Sequence, residues 1–149
     1  MFAIVPFSAD YTEPIEKIEN ACFSVPWTRQ GIESELENKT ARFFVAVEEN
    51  QTVGYIGAHF ILDEGYIANL AVLEEYRHKG IATALLKKVL ALADEEKLDF
   101  VSLEVRQSNF GAIALYEKNG FERVGVRKKF YSNPEENAVI MTNFIKENI

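Results

Sequence analysis

The feature that most constrains the fold lies in the middle of the chain, where an apolar strand leads through a basic, glycine-containing loop into an amphipathic helix. The strand is predicted over 66–72 and the helix over 81–96. Apolar residues of that helix recur about one turn apart, at Ile81, Leu85, Val89 and Leu92. Because a helix with such a stripe buries it against a sheet, the chain is predicted to be an α/β protein.

Strands and helices are predicted from one end of the chain to the other, and we expect a single domain over residues 1–149. No repeat, low-complexity run or Pro/Gly/Ser linker interrupts them. The expected strands are 1–6, 41–48, 52–62, 66–72, 100–105, 121–130 and 138–145. The expected helices are 12–20, 28–36, 81–96 and 109–119. Their caps are predicted at Asp10 or Thr12, at Thr28 and at Ser108 or Asn109, and Gly120 is expected to end the last helix.

Charge and composition restrict the partners of the chain. With 23 acidic and 16 basic residues, the formal net charge is -7. A negative surface argues against binding a phosphate backbone, so we expect a basic protein or peptide partner and no direct nucleic acid. Alternatively, the charge only keeps the protein soluble. We expect a cytoplasmic protein without membrane contact, because no apolar run is long enough to span a bilayer, no secretory leader is recognisable and Cys22 is the only cysteine.

The loop between the central strand and helix is suited to binding an anion. Backbone N–H groups at a helix N-terminus have no acceptor inside the helix and lie at its positive end. Gly80 and the small Ala82 let an anion approach this backbone, and three cationic or titratable residues, Arg77, His78 and Lys79, add positive charge. The alternative is that the basic residues are solvated surface. The loop matches neither a nucleotide P-loop nor a dinucleotide fingerprint with three spaced glycines.

The order Leu-Ala-Val followed by Arg-x-x-Gly-x-Ala resembles the acyl-CoA motif of the GNAT acetyltransferase superfamily. The resemblance implies the GNAT fold, a mixed central β-sheet of about seven strands flanked by about four helices and splayed between strands 4 and 5. It implies acetyl-CoA as co-substrate, with Leu70, Ala71 and Val72 pairing their backbone with the pantetheine arm. It also implies that amides from His78 to Thr83 hold the pyrophosphate. The loop residues expected to bind the cofactor are Arg77, His78, Lys79, Gly80, Ile81, Ala82 and Thr83.

Two side chains further along the chain are candidates for acid–base catalysis. In the predicted strand 100–105, alternation puts Glu104 on the face opposite Val101, Leu103 and Val105. Glu104 lies near the C-terminal end of this strand, where ligand clefts open in α/β sheets, so a partly desolvated carboxylate there can accept a proton. The alternative is a surface carboxylate paired with Arg106 or a lysine. Tyr116, in the helix 109–119, can protonate a departing thiolate, or it is a core residue with a satisfied hydroxyl.

A longer block closely resembles the bacterial ribosomal-protein-alanine N-acetyltransferases, the RimI group: Leu-Glu-Val-Arg-Gln-Ser-Asn at 103–109 and Ala-Leu-Tyr-Glu-Lys-Asn-Gly-Phe at 114–121. The resemblance implies Glu104 as the base, Tyr116 as the acid and Asn109 as a CoA contact. It implies that the acceptor is the N-terminus of a basic ribosomal protein, and we expect a monomer or weak dimer. The acceptor groove that it implies has aromatic residues, each alternatively ordinary packing: Phe23, Trp27, Phe130 and Tyr131.

The amine pKa favours an α-amine over a lysine side chain as the acceptor. A free α-amine costs about 1 to 1.4 kcal/mol to deprotonate at neutral pH, and a lysine side chain costs about 4.6 kcal/mol, so one carboxylate base suits the α-amine better. Two other functions stay open, a GNAT enzyme acting on a small-molecule amine or lysine side chain, and a non-catalytic acyl-CoA-binding module. We interpret Cys22 as a structural thiol rather than an acyl carrier. His59 has no second ligand at metal spacing, so no metal is expected.

Overall fold

The computed structural model describes residues 1–148, and within that range it contains seven β-strands and four α-helices. The strands are β1 (Phe2–Pro6), β2 (Ala41–Glu48), β3 (Gln51–Ile61), β4 (Glu64–Val72), β5 (Phe100–Arg106), β6 (Glu122–Tyr131) and β7 (Glu136–Asn143). The helices are α1 (Thr12–Cys22), α2 (Arg29–Ser34), α3 (Ile81–Glu95) and α4 (Phe110–Lys118). Each predicted element is therefore present, with its ends within two residues of the prediction. Among the described helices, none combines the length and the apolar character needed to cross a membrane.

The strands form one mixed sheet in the order β1-β2-β3-β4-β5-β7-β6. Only β4 and β5 are parallel among the strand pairs whose register is recorded for residues 1–148. Within the described part of the chain their ladder consists of three pairs, Glu64–Phe100, Gly65–Val101 and Tyr66–Ser102. A ladder this short agrees with the splay expected between strands 4 and 5, and the predicted fold class is confirmed.

Two of the predicted helix caps, and the predicted stop of the last helix, are confirmed. The Thr28 hydroxyl accepts the N–H of Gly31 at 3.1 Å and so caps α2. The Asn109 Oδ1 accepts the N–H of Ala112 at 3.1 Å and caps α4. Gly120 follows α4 with a φ of 89°, a left-handed conformation that glycine adopts without strain. Local hydrogen bonding therefore sets the start and the end of α4.

Two predicted boundaries are wrong. Neither Asp10 nor Thr12 caps α1, because Ala9–Tyr11 form a 3₁₀ turn that runs directly into the helix. Tyr11 occupies the cap position without a side-chain hydrogen bond, and Thr12 is buried as the first helical residue. At the other end of the chain, β7 begins and ends two residues earlier than predicted, and Ile145 starts a short 3₁₀ turn.

Backbone contacts divide the chain into two compact units. The first contains residues 1–59 and 68–89, and its core is formed by Ile15, Ile18, Ile32, Phe43, Val45, Tyr55 and Ala71. The second contains residues 60–67 and the chain from Leu90 onward. In the second unit, β5 alternates between buried and half-buried residues as predicted, with Val101, Leu103 and Val105 inside. The strand β6 is one edge of the sheet, and nearly all of its side chains are exposed.

Candidate active site

The predicted anion loop begins α3 in the first unit. Arg77, His78, Lys79 and Gly80 are exposed, and His78 and Gly80 have φ values of 63° and 83°. The first helical hydrogen bond runs from the Ala84 N–H to the Gly80 carbonyl at 3.0 Å, so the preceding N–H groups have no acceptor in the helix. A Cβ on Gly80 would meet nothing within 4 Å. The loop therefore offers open space in front of free backbone donors, which fits a phosphate group.

The Arg77 side chain folds back onto the end of β4. Its Nε donates to the Val72 carbonyl at 2.9 Å, and its Nη2 lies 3.7 Å from the Cys22 Sγ. The Cys22 thiol also donates to the Val72 carbonyl at 3.7 Å. Burial is the main cause that raises the pKa of Cys22, although Arg77 opposes it, so the thiol stays protonated at neutral pH. Arg77 thus holds the beginning of the loop to the end of β4.

The end of β4 is placed by a glycine in the neighbouring strand. A Cβ on Gly54 would lie 2.9 Å from the Ala71 carbonyl oxygen and 3.1 Å from a methyl of Val72. Only a residue without a side chain allows β4 to approach β3 this closely. Ala71 and Val72 are buried, and Leu70 is half-buried. Gly54 therefore fixes the position of the segment 70–72, which we expected to bind pantetheine.

A buried carboxylate that sequence reasoning missed lies in α1. Glu19 is 1% exposed. Its Oε1 accepts the backbone N–H of Trp27 at 2.8 Å, and its Oε2 accepts the Tyr55 hydroxyl at 2.5 Å and the Asn69 side-chain amide at 3.2 Å. Burial raises the pKa of Glu19, against the hydrogen bonds from Trp27 and Tyr55. The available signal was its spacing, because Glu19 falls on the same helix face as the core residue Ile15.

The predicted acceptor aromatics of the first unit are half-buried rather than exposed. Phe23 and Trp27 pack against the core, and the Trp27 ring lies 6.0 Å from that of Phe43. Between them Val25 is 62% exposed. The loop 23–28 therefore has its aromatic residues anchored and its middle in solvent.

In the second unit, Glu104 lies on the half-buried face of β5. Its side chain is 31% exposed, and its Oε1 lies 3.4 Å from the Nε of Arg127, whose side chain is 57% exposed. Neither partner considered from the sequence takes this place. Arg106 instead bonds the carbonyls of Ser132 and Pro134 and the carboxylate of Glu136. Glu104 is thus a partly desolvated carboxylate with one loosely held cation beside it.

Two tyrosines of the second unit stay protonated. Burial raises the pKa of Tyr131 to about 12, and the Glu104 charge adds to the rise. Tyr116 is 7% exposed, and its pKa is also raised, chiefly by burial and further by Tyr131. Its ring packs on Phe121 at 5.5 Å, and within residues 1–148 its hydroxyl has no hydrogen-bond partner. A phenol of this kind keeps its proton available for a base that forms next to it.

The other predicted residues of the second unit lie near the surface. Phe130 is 48% exposed, and its ring meets that of Tyr131 edge-on at 5.0 Å. The guanidinium groups of Arg127 and Arg106 lie over the rings of Phe130 and Tyr131, at 5.7 Å and 4.6 Å from their centroids. Asn109 is exposed, and its Oδ1 is used by the helix cap, which leaves its amide nitrogen for a ligand. No group of three or more metal-binding side chains occurs in the part of the chain that the structure describes.

Comparison with known proteins identifies the family. The model of the acetyltransferase (GNAT) family matches residues 12–121. A ribosomal protein bS18-alanine N-acetyltransferase of Haemophilus influenzae is 34% identical over 138 residues, which cover 89% of this chain and 92% of that protein. The crystal structure of the ribosomal-protein-S18-alanine N-acetyltransferase from Escherichia coli has a TM-score of 0.90 and 27% identity, over 97% of this chain and 94% of that one.

The fold extends to a plant enzyme. The crystal structure of Arabidopsis thaliana NAA60 in complex with acetyl-CoA has a TM-score of 0.91 over 98% of this chain and 99% of that one, at 21% identity, and this likeness shows the fold alone. The resemblance to the GNAT superfamily and to the ribosomal-protein-alanine N-acetyltransferases, predicted from two sequence blocks, is confirmed. The chain belongs to the GNAT acetyltransferase family and is an N-acetyltransferase.

Proposed function

We propose that this chain transfers the acetyl group of acetyl-CoA to the N-terminal α-amine of a small-subunit ribosomal protein that begins with alanine. The observation that carries the proposal is the similarity to the bS18-alanine N-acetyltransferase of Haemophilus influenzae, 34% identical over 89% of this chain. Because the acceptor is a ribosomal protein, we place the reaction in the cytoplasm. We also propose that residues 1–149 act as one catalytic domain.

The residues of the first unit fit acetyl-CoA, which supplies the activated acetyl thioester when bound. The N–H groups at the start of α3 and the open space at Gly80 suit a pyrophosphate. Lys79 is exposed and adds positive charge, and its ammonium lies 5.1 Å from the Tyr76 ring centroid. The segment 70–72 offers backbone groups to the pantetheine arm. In this assignment Arg77 acts by holding the loop, through its bond to Val72, more than by meeting a phosphate.

Glu104 is proposed as the general base that takes the proton of the acceptor amine, directly or through a water. Its side chain is partly desolvated yet reachable, and Arg127 is the cation beside it. Deprotonating the α-ammonium group at pH 7 costs about 1 to 1.4 kcal/mol, which one carboxylate base can overcome. Direct attack on the thioester then needs no covalent enzyme intermediate.

Tyr116 is proposed as the general acid. The CoA thiol has a pKa of roughly 8.5, and a phenol that stays protonated at neutral pH can deliver a proton to the departing thiolate sulfur. Burial keeps Tyr116 protonated, and its hydroxyl makes no hydrogen bond with other residues in the range 1–148. The proton is therefore not committed to another group in the part of the chain that the structure describes.

The aromatic residues are proposed to receive the first residues of the acceptor. Phe23 and Trp27 are anchored on the core of the first unit, and Phe130 is exposed at the end of β6 in the second. Tyr131 lies between Arg106 and Phe130. These side chains offer aromatic surface to the first residues of an acceptor peptide.

The experiment that tests the proposal compares two peptides that begin with alanine and arginine and contain one lysine. The first has a free N-terminus, and the second has the same sequence with the N-terminus blocked. We expect CoA release only with the first. Turnover of the blocked peptide contradicts an α-amine acceptor and makes the chain a lysine acetyltransferase. Turnover of a polyamine in preference to both peptides assigns it a small-molecule acceptor, and no turnover of either peptide contradicts the proposal.

A further inference from the structure

The buried Glu19 carboxylate has no part in the acid–base steps above, and its contacts point to another task. It lies in the last turns of α1, in a core otherwise composed of apolar side chains and Tyr55. Three donors satisfy it, the Trp27 backbone N–H, the Tyr55 hydroxyl and the Asn69 amide. Burying a carboxylate costs several kcal/mol unless it is fully hydrogen-bonded, and a well-packed apolar side chain often stabilises such a site as well or better. Stability alone therefore does not account for a glutamate here.

The distinctive geometry is that Glu19 holds both ends of the loop 23–28. Its backbone carbonyl accepts the N–H of Phe23 at 3.0 Å, which closes the end of α1. Its side chain accepts the N–H of Trp27 at 2.8 Å. These bonds fix the backbone positions of the two aromatic residues that the proposed function assigns to the acceptor.

The same carboxylate reaches the cofactor strand. Its Oε2 accepts the side-chain amide of Asn69, the residue that precedes the segment 70–72 in β4. Asn69 also donates to the Tyr55 hydroxyl at 3.0 Å, so the three side chains form a closed network. Glu19, the loop 23–28 and the end of β4 all belong to the first unit. One side chain therefore sets the position of the acceptor loop relative to the strand proposed to bind pantetheine.

We propose that Glu19 is a positioning residue for the acceptor, which holds the loop 23–28 in place through the Trp27 N–H and aligns it with β4 through Asn69. The inference rests on the proposed function, because it assumes that Phe23 and Trp27 receive the acceptor. Removal of the carboxylate releases the Trp27 end of the loop and leaves the cofactor loop 77–83 untouched. The loss then falls on acceptor binding and not on acetyl-CoA binding.

The test uses Glu19→Met, which keeps the length of the side chain and removes both carboxylate oxygens. The variant loses the hydrogen bond from the Trp27 N–H, and the loop is no longer held in one position. We therefore expect the KM for the peptide with a free N-terminus to rise roughly tenfold, and kcat and the affinity for acetyl-CoA to change less than about twofold. Trp27 is the only tryptophan of the chain, so its fluorescence reports the loop directly. We expect a red-shifted emission and stronger quenching by acrylamide.

Two further variants separate positioning from general loosening. Glu19→Gln retains one carbonyl oxygen for the Trp27 N–H, so its peptide KM and its Trp27 emission are expected to lie close to the wild-type values. Tyr55→Phe removes a different partner of the network, leaves the Trp27 bond in place, and is expected to keep both at wild-type values. If Glu19→Met does not fold, Glu19→Asp takes its place, because the shorter side chain draws the carboxylate away from Trp27.

The outcomes are distinct. Unchanged emission and unchanged KM in a folded Glu19→Met variant overturn the proposal, as does a changed emission with an unchanged KM. An equal rise of KM in Tyr55→Phe shows general loosening and also overturns it. If the wild-type chain acetylates no peptide, the proposed function fails and the acceptor role of Glu19 fails with it. The emission of Trp27 then decides by itself whether Glu19 holds the loop.

Discussion

Replacing Glu104 by Gln is expected to abolish most of the activity and to leave the fold almost as stable as before. The Glu104 side chain is 31% exposed and its partner Arg127 is 57% exposed. A pair this accessible contributes about 0 to 1 kcal/mol to folding. Loss of a general base lowers kcat/KM about 10²- to 10⁴-fold, which corresponds to about 2.7 to 5.4 kcal/mol of transition-state stabilisation. The effect on catalysis therefore exceeds the effect on stability several-fold.

The assay measures CoA release with the free N-terminal peptide from pH 6 to 9, together with urea unfolding. Without the base, only the amine that is already neutral reacts. The rate of Glu104→Gln therefore rises about tenfold per pH unit below the amine pKa of about 7.7 to 8.0 and levels off above that pKa, as the α-amine loses its proton. The matched control is Glu117→Gln. Glu117 pairs with Arg123 at 3.5 Å, with side chains 48% and 57% exposed. It has the same kind of ion pair in the same unit and no proposed role.

Three results refute this reasoning. If Glu104→Gln retains activity within about twofold of wild type, Glu104 is not the base. If Glu117→Gln loses as much activity as Glu104→Gln, the loss comes from the change in charge and not from proton transfer. A variant that unfolds at clearly lower urea than wild type contradicts the small contribution assigned to the Arg127 pair.

Four further outcomes are expected. Gly54→Ala places a Cβ 2.9 Å from the Ala71 carbonyl oxygen and is expected to lower the free energy of unfolding by about 1 to 3 kcal/mol, measured by urea unfolding. It is also expected to weaken acetyl-CoA binding, measured by calorimetry, and an unchanged affinity contradicts the role of Gly54 in placing β4. Tyr116→Phe is expected to lower kcat about 10²-fold or more with little change in the acceptor KM, and a changed KM alone assigns it to packing. Asn109→Ala is expected to cost about 1 kcal/mol through loss of the α4 cap, as urea unfolding will show, whereas Asn109→Asp retains the cap. The pKa of Glu19 is raised above its ordinary 4.5, so the folded protein binds the Glu19 proton more tightly than the unfolded chain does. The resulting contribution to folding stability is present below pH 4.5 and is lost as the pH rises through the folded pKa. The free energy of unfolding of wild type, relative to that of Glu19→Gln, is therefore expected to fall over that window, and a constant difference contradicts this expectation.

The sequence predicts the elements of this fold well, because their signals are local. The α3 stripe, the alternation of β5 and the caps at Thr28 and Asn109 each depend on a few neighbouring residues, and the structure has them as predicted. The cap of α1 is predicted wrongly, since a 3₁₀ turn before the helix leaves no place for it. The family was recognised from two blocks of residues, and its model covers residues 12–121.

The partners of charged side chains are harder to predict, because they depend on contacts between distant parts of the chain. Alternation puts Glu104 and Arg106 on one face of β5, yet the cation beside Glu104 is Arg127. Arg127 lies in β6, which β7 separates from β5 in the order of the sheet, and the pairing of β6 with β7 shifts register twice. Such a contact cannot be read from the period of either strand. The contact of the Arg77 guanidinium with the Cys22 sulfur likewise joins residues 55 positions apart in the sequence.

The exposed edge strand of the sheet has a consequence for how the protein behaves at high concentration. Along β6, Val124 and Val126 are 51% and 52% exposed, next to a row of unpaired strand hydrogen-bonding groups that another chain can extend. The cations Arg123, Arg127, Lys128 and Lys129 stand among them on the same strand. Like charges on two copies of this strand repel each other, which opposes edge-to-edge pairing of β6 between molecules.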